Sequence, residues 1–484
     1  MARVSATVAI ALGLLASALS PASAQLLPGP SRAVLIVIDG CGADYLGLCP
    51  TPNLDALAAR GVRYSDAIVG HVVNDTPAGH ATLVTGRLPS CHGVVAHEWH
   101  DVVTGDWVHL TGLEAAWDNT LLHAYDGVDV KPLSSLVKQR YPDGYVAAVS
   151  CGKFYAAALM GAPDADEYLS FPPDARREDG PPGEAWDWTY LDTTAITAAI
   201  KVVRDHRPAL LMINMPEMDR VGQERGGLLA PDVMAAVLSN ADRQIGRLVD
   251  EYRAQGLLGE TVFVVTADHG MVPSRHIIDP APIKQIIESL GTKSLPDHQH
   301  IWLSDSSKAR YVAEEILRRG LDRLIAVYYR PDGNPGAPYE LVAGPPIGAE
   351  LDAAYRWLLS TYQGPHGPDV VLALHEDTVM SQNLRDTQFG LHTGFTWRAQ
   401  HIPLIIAGPG VRAGVVSDYP ARLVDVAPTL SRLLDLGPAP YDGAVLADAL
   451  ADALPSDAAA QLQYGASIRP HRAAMTAESA EFGG

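Results

Sequence analysis

The stretch NDTPAGHATLVTG, residues 74–86, sets Thr76 on a turn ahead of a helical pattern. A threonine hydroxyl is a weak nucleophile at neutral pH and attacks only beside an activator. Five other residues can supply one. Asp39 closes the run AVLIVID, Asp219 follows ALLMINMPEM, Asp268 and His269 close TVFVVTADH, and His392 lies in GLHTG. Carboxylates and imidazoles suit zinc or a related divalent ion, and two such ions about 4 Å apart can hold an alkoxide while polarising a phosphoryl oxygen. Each residue alone has an ordinary reading: an aspartate after a strand caps a turn, Thr76 before Pro77 caps a helix, and His392 is a loop histidine. Their joint occurrence at strand ends points to phosphoryl chemistry. The amino end of a helix starting near Gly79 would also favour an anion beside Thr76.

These side chains need elements to position them. The apolar runs AVLIVI, ALLMINM, TVFVV and HIPLIIA read as strands buried on both faces, and they alternate with patterns such as TPNLDALAARG and DVMAAVLSNADRQIGRLVDEYRAQG, whose apolar residues recur at helical spacing. The fold class expected is α/β, a doubly wound and mostly parallel sheet whose ligand site lies beyond the carboxyl ends of the strands. The core is expected over 25–272, with a substrate-entrance segment at 97–188, and again over 391–450. An inserted cap is expected over 273–390, and a loosely ordered tail over 451–484.

At the N-terminus, Arg3, an apolar run from Val8 to Leu19 and the small residues Ala22, Ser23 and Ala24 read as a signal peptide over 1–24. This predicts an exported protein, periplasmic or secreted, with no transmembrane segment in the mature chain. Its 484 residues are 47% hydrophobic, enough for a full core, and the net charge of −20 argues against a nucleic-acid-binding surface. The four cysteines, Cys41, Cys49, Cys91 and Cys151, permit three pairings, among which the sequence does not choose, and none forms a CxxC zinc motif.

The stretches VLIVIDG, TPNLDALAARG, TPAGHATLVTGRLPSCHGV, TADHGM, HTGF and VDVAPTLSRLLDL, taken in order, resemble the alkaline phosphatase superfamily and within it the type I phosphodiesterase/nucleotide pyrophosphatase family. The resemblance runs from Val34 to Leu436. It implies an alkaline phosphatase-like core, two metal ions, expected as zinc, and Thr76 as nucleophile. Asp39, Thr76, Asp268 and His269 would hold one ion, and Asp219 and His392 the other. The family's remaining ligand is a histidine four residues after that aspartate, where this chain has Gln223, a neutral and weaker ligand. His97 stands where relatives carry an asparagine that donates to a phosphoryl oxygen. Lys153 is the first member of a Lys-x-Arg pair that grips phosphomonoesters in some relatives, and Tyr155 replaces the arginine.

The function expected is an exported, metal-dependent phosphoric ester hydrolase, a phosphodiesterase or nucleotide pyrophosphatase acting on a small phosphate ester or nucleotide through a phosphothreonine. Loss of the arginine weakens recognition of a doubly charged monoester more than of a diester. The alternatives are a phosphomonoesterase on the same scaffold, favoured by Lys153, and a non-catalytic phosphate-binding or metal-binding homologue, favoured by Gln223 and His97. Trp99, Trp107 and Tyr155 are candidate stacking surfaces for a base, with core or loop packing as the plainer reading. The sequence leaves the leaving group and the oligomeric state open.

Overall fold

Branched aliphatic runs become strands where both of their faces can be covered. The computed structural model describes residues 30–111, 120–171, 190–297, 299–344, 347–380, 389–392 and 394–482. The expected leader at 1–24 and parts of the 97–188 segment lie outside them.

Eight strands form the main sheet: β1 Arg32–Ile38, β2 Gly61–Tyr64, β3 Val146–Cys151, β4 Glu167–Phe171, β5 Leu210–Met215, β6 Thr261–Thr266, β7 Leu404–Ala407 and β8 Val415–Ser417. Their spatial order is β8-β2-β7-β6-β1-β5-β3-β4. Only β7 runs against its neighbours; β6, β1, β5, β3 and β4 form one parallel block. Every residue of β3, β5 and β6, and all of β1 except Arg32, is buried. Each leucine- or valine-sized side chain so covered contributes roughly 1.5–3 kcal/mol.

Helices cover the sheet. Helix α1 is Thr76–Thr85, α2 is Phe154–Gly161, α3 is Tyr190–His206, α4 is Glu217–Arg225 and α5 is Pro231–Ala254. On α5 the buried residues Met234, Val237, Leu238, Ala241, Ile245, Leu248 and Tyr252 follow the three and four spacing of a single apolar face.

After β6 the chain forms a short antiparallel pairing, Val272–Pro273 against Gly390–Leu391. Between those two ends it builds a second, antiparallel sheet of five strands, in the order Ser294–Asp297, His300–Leu303, Val370–Leu374, Leu324–Tyr329 and Glu340–Leu341. Alternation splits its faces. Val370, Leu372 and Leu374 join a separate core with Ile283, Ile287, Val312 and Ile316 of two covering helices, while Val371 and Ala373 face the main core.

One expectation is corrected. The 451–484 segment is not a loose tail: Pro455–Phe482 is a helix (α7) that buries Ile468 and Met475 and packs against helix α6, Ala349–Ser360. Its His471 stacks on Trp357 with ring centroids 5.2 Å apart, and the alanine-rich composition that suggested looseness is a good helix former once that face is covered. The sequence left the cysteine pairing open; all four thiols are free. No helix among the described residues is long and apolar enough to cross a membrane.

Candidate active site

The four adjacent strands β6, β1, β5 and β3 each deliver a charged group just past their carboxyl ends: Asp268 and His269, Asp39, Asp219, and Lys153. All five are buried. Asp39 can approach Asp219 because Gly40 lies between them with φ +72°; a Cβ there would sit 2.8 Å from the Asp219 Cα and Cβ. Gly79 serves the same purpose for α1, since its Cβ would meet the Asp268 carbonyl oxygen at 2.8 Å.

Helix α1 starts at Thr76, three residues earlier than the sequence pattern suggested, with Asp75 as N-cap and Pro77 in the first turn. Pro77 lacks the N–H that a helix start leaves unbonded anyway, which is why the turn tightens here. The loop before it is held by Gln400, whose Nε2 donates to the His71 and Gly394 carbonyl oxygens and to Asn74 Oδ1. Thr76 is thereby fixed, 1% exposed, with its Oγ1 3.5 Å from His269 Nε2.

His269 donates through Nδ1 to the Gly270 carbonyl oxygen at 2.9 Å, which turns Nε2 into the site. That nitrogen is 3.5 Å from Asp39 Oδ1, 3.5 Å from Asp268 Oδ2 and 3.5 Å from Thr76 Oγ1. These separations are too long for good hydrogen bonds. They match the edge of a tetrahedron whose centre lies about 2.0–2.2 Å from each donor, a length of roughly 3.4 Å. Asp39 Oδ2 and Asp268 Oδ2 are buried and make no hydrogen bond. Burial and the Asp268 charge push the Asp39 carboxyl up to about 6. Burial opposes ionisation of Asp268 too, but His269 and His80 hold its carboxyl below the ordinary range. A divalent ion would relieve both strains, so Asp39, Thr76, Asp268 and His269 fit a metal.

His80 was not singled out by sequence. It lies one turn after Thr76 on α1, donates through Nδ1 to the Thr76 carbonyl oxygen at 2.8 Å, and sits 3.0 Å from Asn214 Oδ1 through Nε2. Its Nδ1 is also 3.4 Å from Asp268 Oδ2, which groups it geometrically with Asp39 and Asp268. Both of its ring nitrogens are thus engaged, one with the Thr76 backbone and one with Asn214.

Asp219, His269 and His392 form the second such group. Its surroundings differ. Gln223 Nε2 donates to both Asp219 oxygens at 3.0 Å and lies 3.2 Å from His392 Nε2. His392 donates through Nδ1 to the Asn74 carbonyl oxygen at 2.7 Å, and burial lowers its pKa to about 3, so the ring is neutral. Lys153 Nζ donates to Asp219 Oδ2 at 2.6 Å, to Asp39 Oδ1 at 2.7 Å and to Thr76 Oγ1 at 3.1 Å. Burial opposes the charge on Lys153, but Asp219 and Asp39 raise its pKa, and Lys153 in turn holds Asp219 low against its own burial. Lys153 is thus tied to two carboxylates and to the Thr76 hydroxyl.

His97 is half-buried, with Nδ1 2.9 Å from Thr111 Oγ1 and its ring edge-on to Tyr155 at 5.3 Å. Tyr155 is the second residue of α2, two after Lys153, so this pair flanks the lysine. Trp99 is 4% exposed and packs near His366 at 5.4 Å, a core position, whereas Trp107 is half-buried beside His100.

The sequence profile of the type I phosphodiesterase / nucleotide pyrophosphatase family matches residues 33–395. A bis(5'-adenosyl)-triphosphatase of Xenopus laevis is 24% identical over 309 residues, covering 59% of this chain and 60% of its own length. An uncharacterised pyrophosphatase/phosphodiesterase of Schizosaccharomyces pombe is 24% identical, covering 50% of this chain and 45% of its own. The chain therefore spans about half to three fifths of the length of these curated relatives. Among solved structures, murine ectonucleotide pyrophosphatase/phosphodiesterase 5, as an inactive variant in complex with AMP, superimposes with TM-score 0.63 at 19% identity, covering 85% of this chain and 97% of that one. The alkaline phosphatase PafA gives TM-score 0.68 at 15% identity, covering 88% and 99%. These two likenesses show the shared fold.

Proposed function

The chain belongs to the type I phosphodiesterase / nucleotide pyrophosphatase family, and on that premise we propose that it is a metal-dependent phosphoric ester hydrolase whose nucleophile is Thr76. One observation carries the reading: the buried Thr76 Oγ1 stands within 3.5 Å of His269 Nε2 and 3.1 Å of the Lys153 ammonium, at the first position of a helix. The ammonium beside this hydroxyl favours its ionised form.

The substrate class is a phosphodiester or nucleotide pyrophosphate, supported by a relative named as a dinucleoside triphosphatase and by the AMP held by a structural neighbour. Thr76 Oγ1 attacks phosphorus in line, the Oγ–P bond forms as the ester O–P bond breaks, and the alcohol or nucleotide leaves with a proton. Water then attacks the phosphothreonine from the vacated side, and Thr76 regains its proton as the phosphate departs. A divalent ion held by Asp39, Asp268, His269 and Thr76, expected as zinc, supplies positive charge that lowers the hydroxyl pKa. Lys153 keeps Asp39, Asp219 and Thr76 in register through both steps, and the amino end of α1 favours the phosphoryl charge. The leader-like segment 1–24 supports export.

Thr76→Ala tests this directly. Hydrolysis of bis-p-nitrophenyl phosphate should fall to background while circular dichroism and the thermal transition stay near wild type; retained turnover would refute the assignment. The wild type should hydrolyse the diester faster than p-nitrophenyl phosphate. The reverse order would favour a phosphomonoesterase.

A further inference from the structure

We propose that this chain holds a single divalent ion, in the group formed by Asp39, Thr76, Asp268 and His269, and that the Lys153 ammonium, locked to Asp219 beside Gln223, takes the place of a second. The two halves of the site differ in which carboxylate oxygens remain open. Asp39 Oδ2 and Asp268 Oδ2 are buried without a hydrogen bond. Both oxygens of Asp219, by contrast, already carry donors: Gln223 Nε2 reaches Oδ1 and Oδ2, and Lys153 Nζ reaches Oδ2.

Lys153 is not passing through. An ammonium has three N–H donors, and Lys153 has three acceptors within 3.1 Å, on Asp39, Thr76 and Asp219, at 3% exposure. The ammonium also holds Asp39, but through Oδ1 alone, so Asp39 keeps Oδ2 open for an ion, whereas neither oxygen of Asp219 is free of a donor. Gln223 reinforces the arrangement, since it turns its amide nitrogen, a donor, toward Asp219 and His392; a metal would need the opposite face. His269 Nε2 lies near both groups, but one nitrogen lone pair serves one ion.

Charge gives the same count. For the three carboxylates of Asp39, Asp219 and Asp268, the ammonium and one divalent ion supply an equal positive charge, and a second divalent ion would add two more that these three do not balance. A formally neutral site discriminates against a doubly charged monoester and accepts a singly charged diester more readily. This last consequence alone rests on the hydrolase reading.

The test counts ions. The full chain, stripped with a chelator and checked for its native circular dichroism, is titrated with zinc by calorimetry, with elemental analysis after gel filtration and cobalt absorption as a second reading. One ion per chain is expected, and none or two would overturn the proposal. Gln223→His, with the lysine kept, is expected to stay at one ion, and two would overturn the role given to Lys153. Lys153→Met combined with Gln223→His is expected to bind two; a folded double variant that still binds one would overturn the exclusion assigned to these residues. Diester turnover of the wild type is read separately. A one-ion protein without turnover would sink the hydrolase reading and keep the count, and a two-ion protein with turnover would do the reverse.

Discussion

Asp39, Asp219 and Asp268 beyond the parallel strands, and Glu376 and Asp377 together with Glu478 of helix α7, are two acidic clusters, largely buried, in one chain. They are neutralised differently. In the first, a lysine is buried with the acids, and Asp219 and Asp268 are held in the ionised form. In the second, the cations stand at the flank: Arg275 and Arg398 reach Asp377, burial pushes the Glu376 and Asp377 carboxyls up, and it pushes Glu478 up to about 8, toward the protonated form. A buried acid cluster that is kept charged is prepared for a cation. One that takes up protons is solving a packing problem.

The sharpest way to break this contrast is to remove the internal cation. Lys153→Met leaves Asp39 and Asp219 buried without their partner, and stripping one member from such a pair costs about 3–5 kcal/mol. Urea unfolding of the metal-free protein should show that loss, and added zinc should recover more of it in the variant than in the wild type. Equal stability of the two metal-free proteins would mean that Lys153 does not neutralise the cluster. A smaller effect is expected one layer out. His80→Ala removes the imidazole that orients Asp268 and the Thr76 backbone, and zinc affinity should fall about 10–100-fold, the usual cost of losing a supporting partner. Unchanged zinc affinity by calorimetry would show that Asp268 is placed without His80.

The same contrast explains what could be read from sequence. Strands covered on both faces leave continuous apolar runs, so the parallel block and its strand-end residues were visible in AVLIVID and TVFVVTADH. The candidate ligands were visible for the same reason, because Asp39, Asp268 and His269 end those runs. The partner of each acid was not visible, since Lys153 and Asp219 meet only through the packing of adjacent strands β3 and β5. His80 did leave a signal, its spacing of four from Thr76 on one helix face. Helix α7 was hidden because its inward stripe, Gln461, Gly465, Ile468, Met475 and Glu478, follows helical spacing with only two large apolar members. A stripe that buries glutamine and glutamate looks like a solvated tail until its partners are known.

The mildest prediction concerns that stripe. Glu478 lies near Glu376, Arg323 and Glu481 and 3.2 Å from His375 Nδ1, and its carboxyl is raised by burial first and by Glu376 next. A raised carboxyl means that the docked helix holds a proton that the undocked helix releases. The contribution is therefore complete below the ordinary glutamate value near 4.5 and is lost as pH climbs through about 8. Within that window one proton changes the opening equilibrium by at most about tenfold per pH unit. Limited proteolysis of α7 should accelerate with pH to that extent, and Glu478→Gln, which cannot ionise, should flatten the profile while leaving zinc binding at the strand ends unchanged. A wild-type profile already flat between pH 5 and 8 would show that Glu478 is held charged as the aspartates are, and the two clusters would then differ only in where their cations stand.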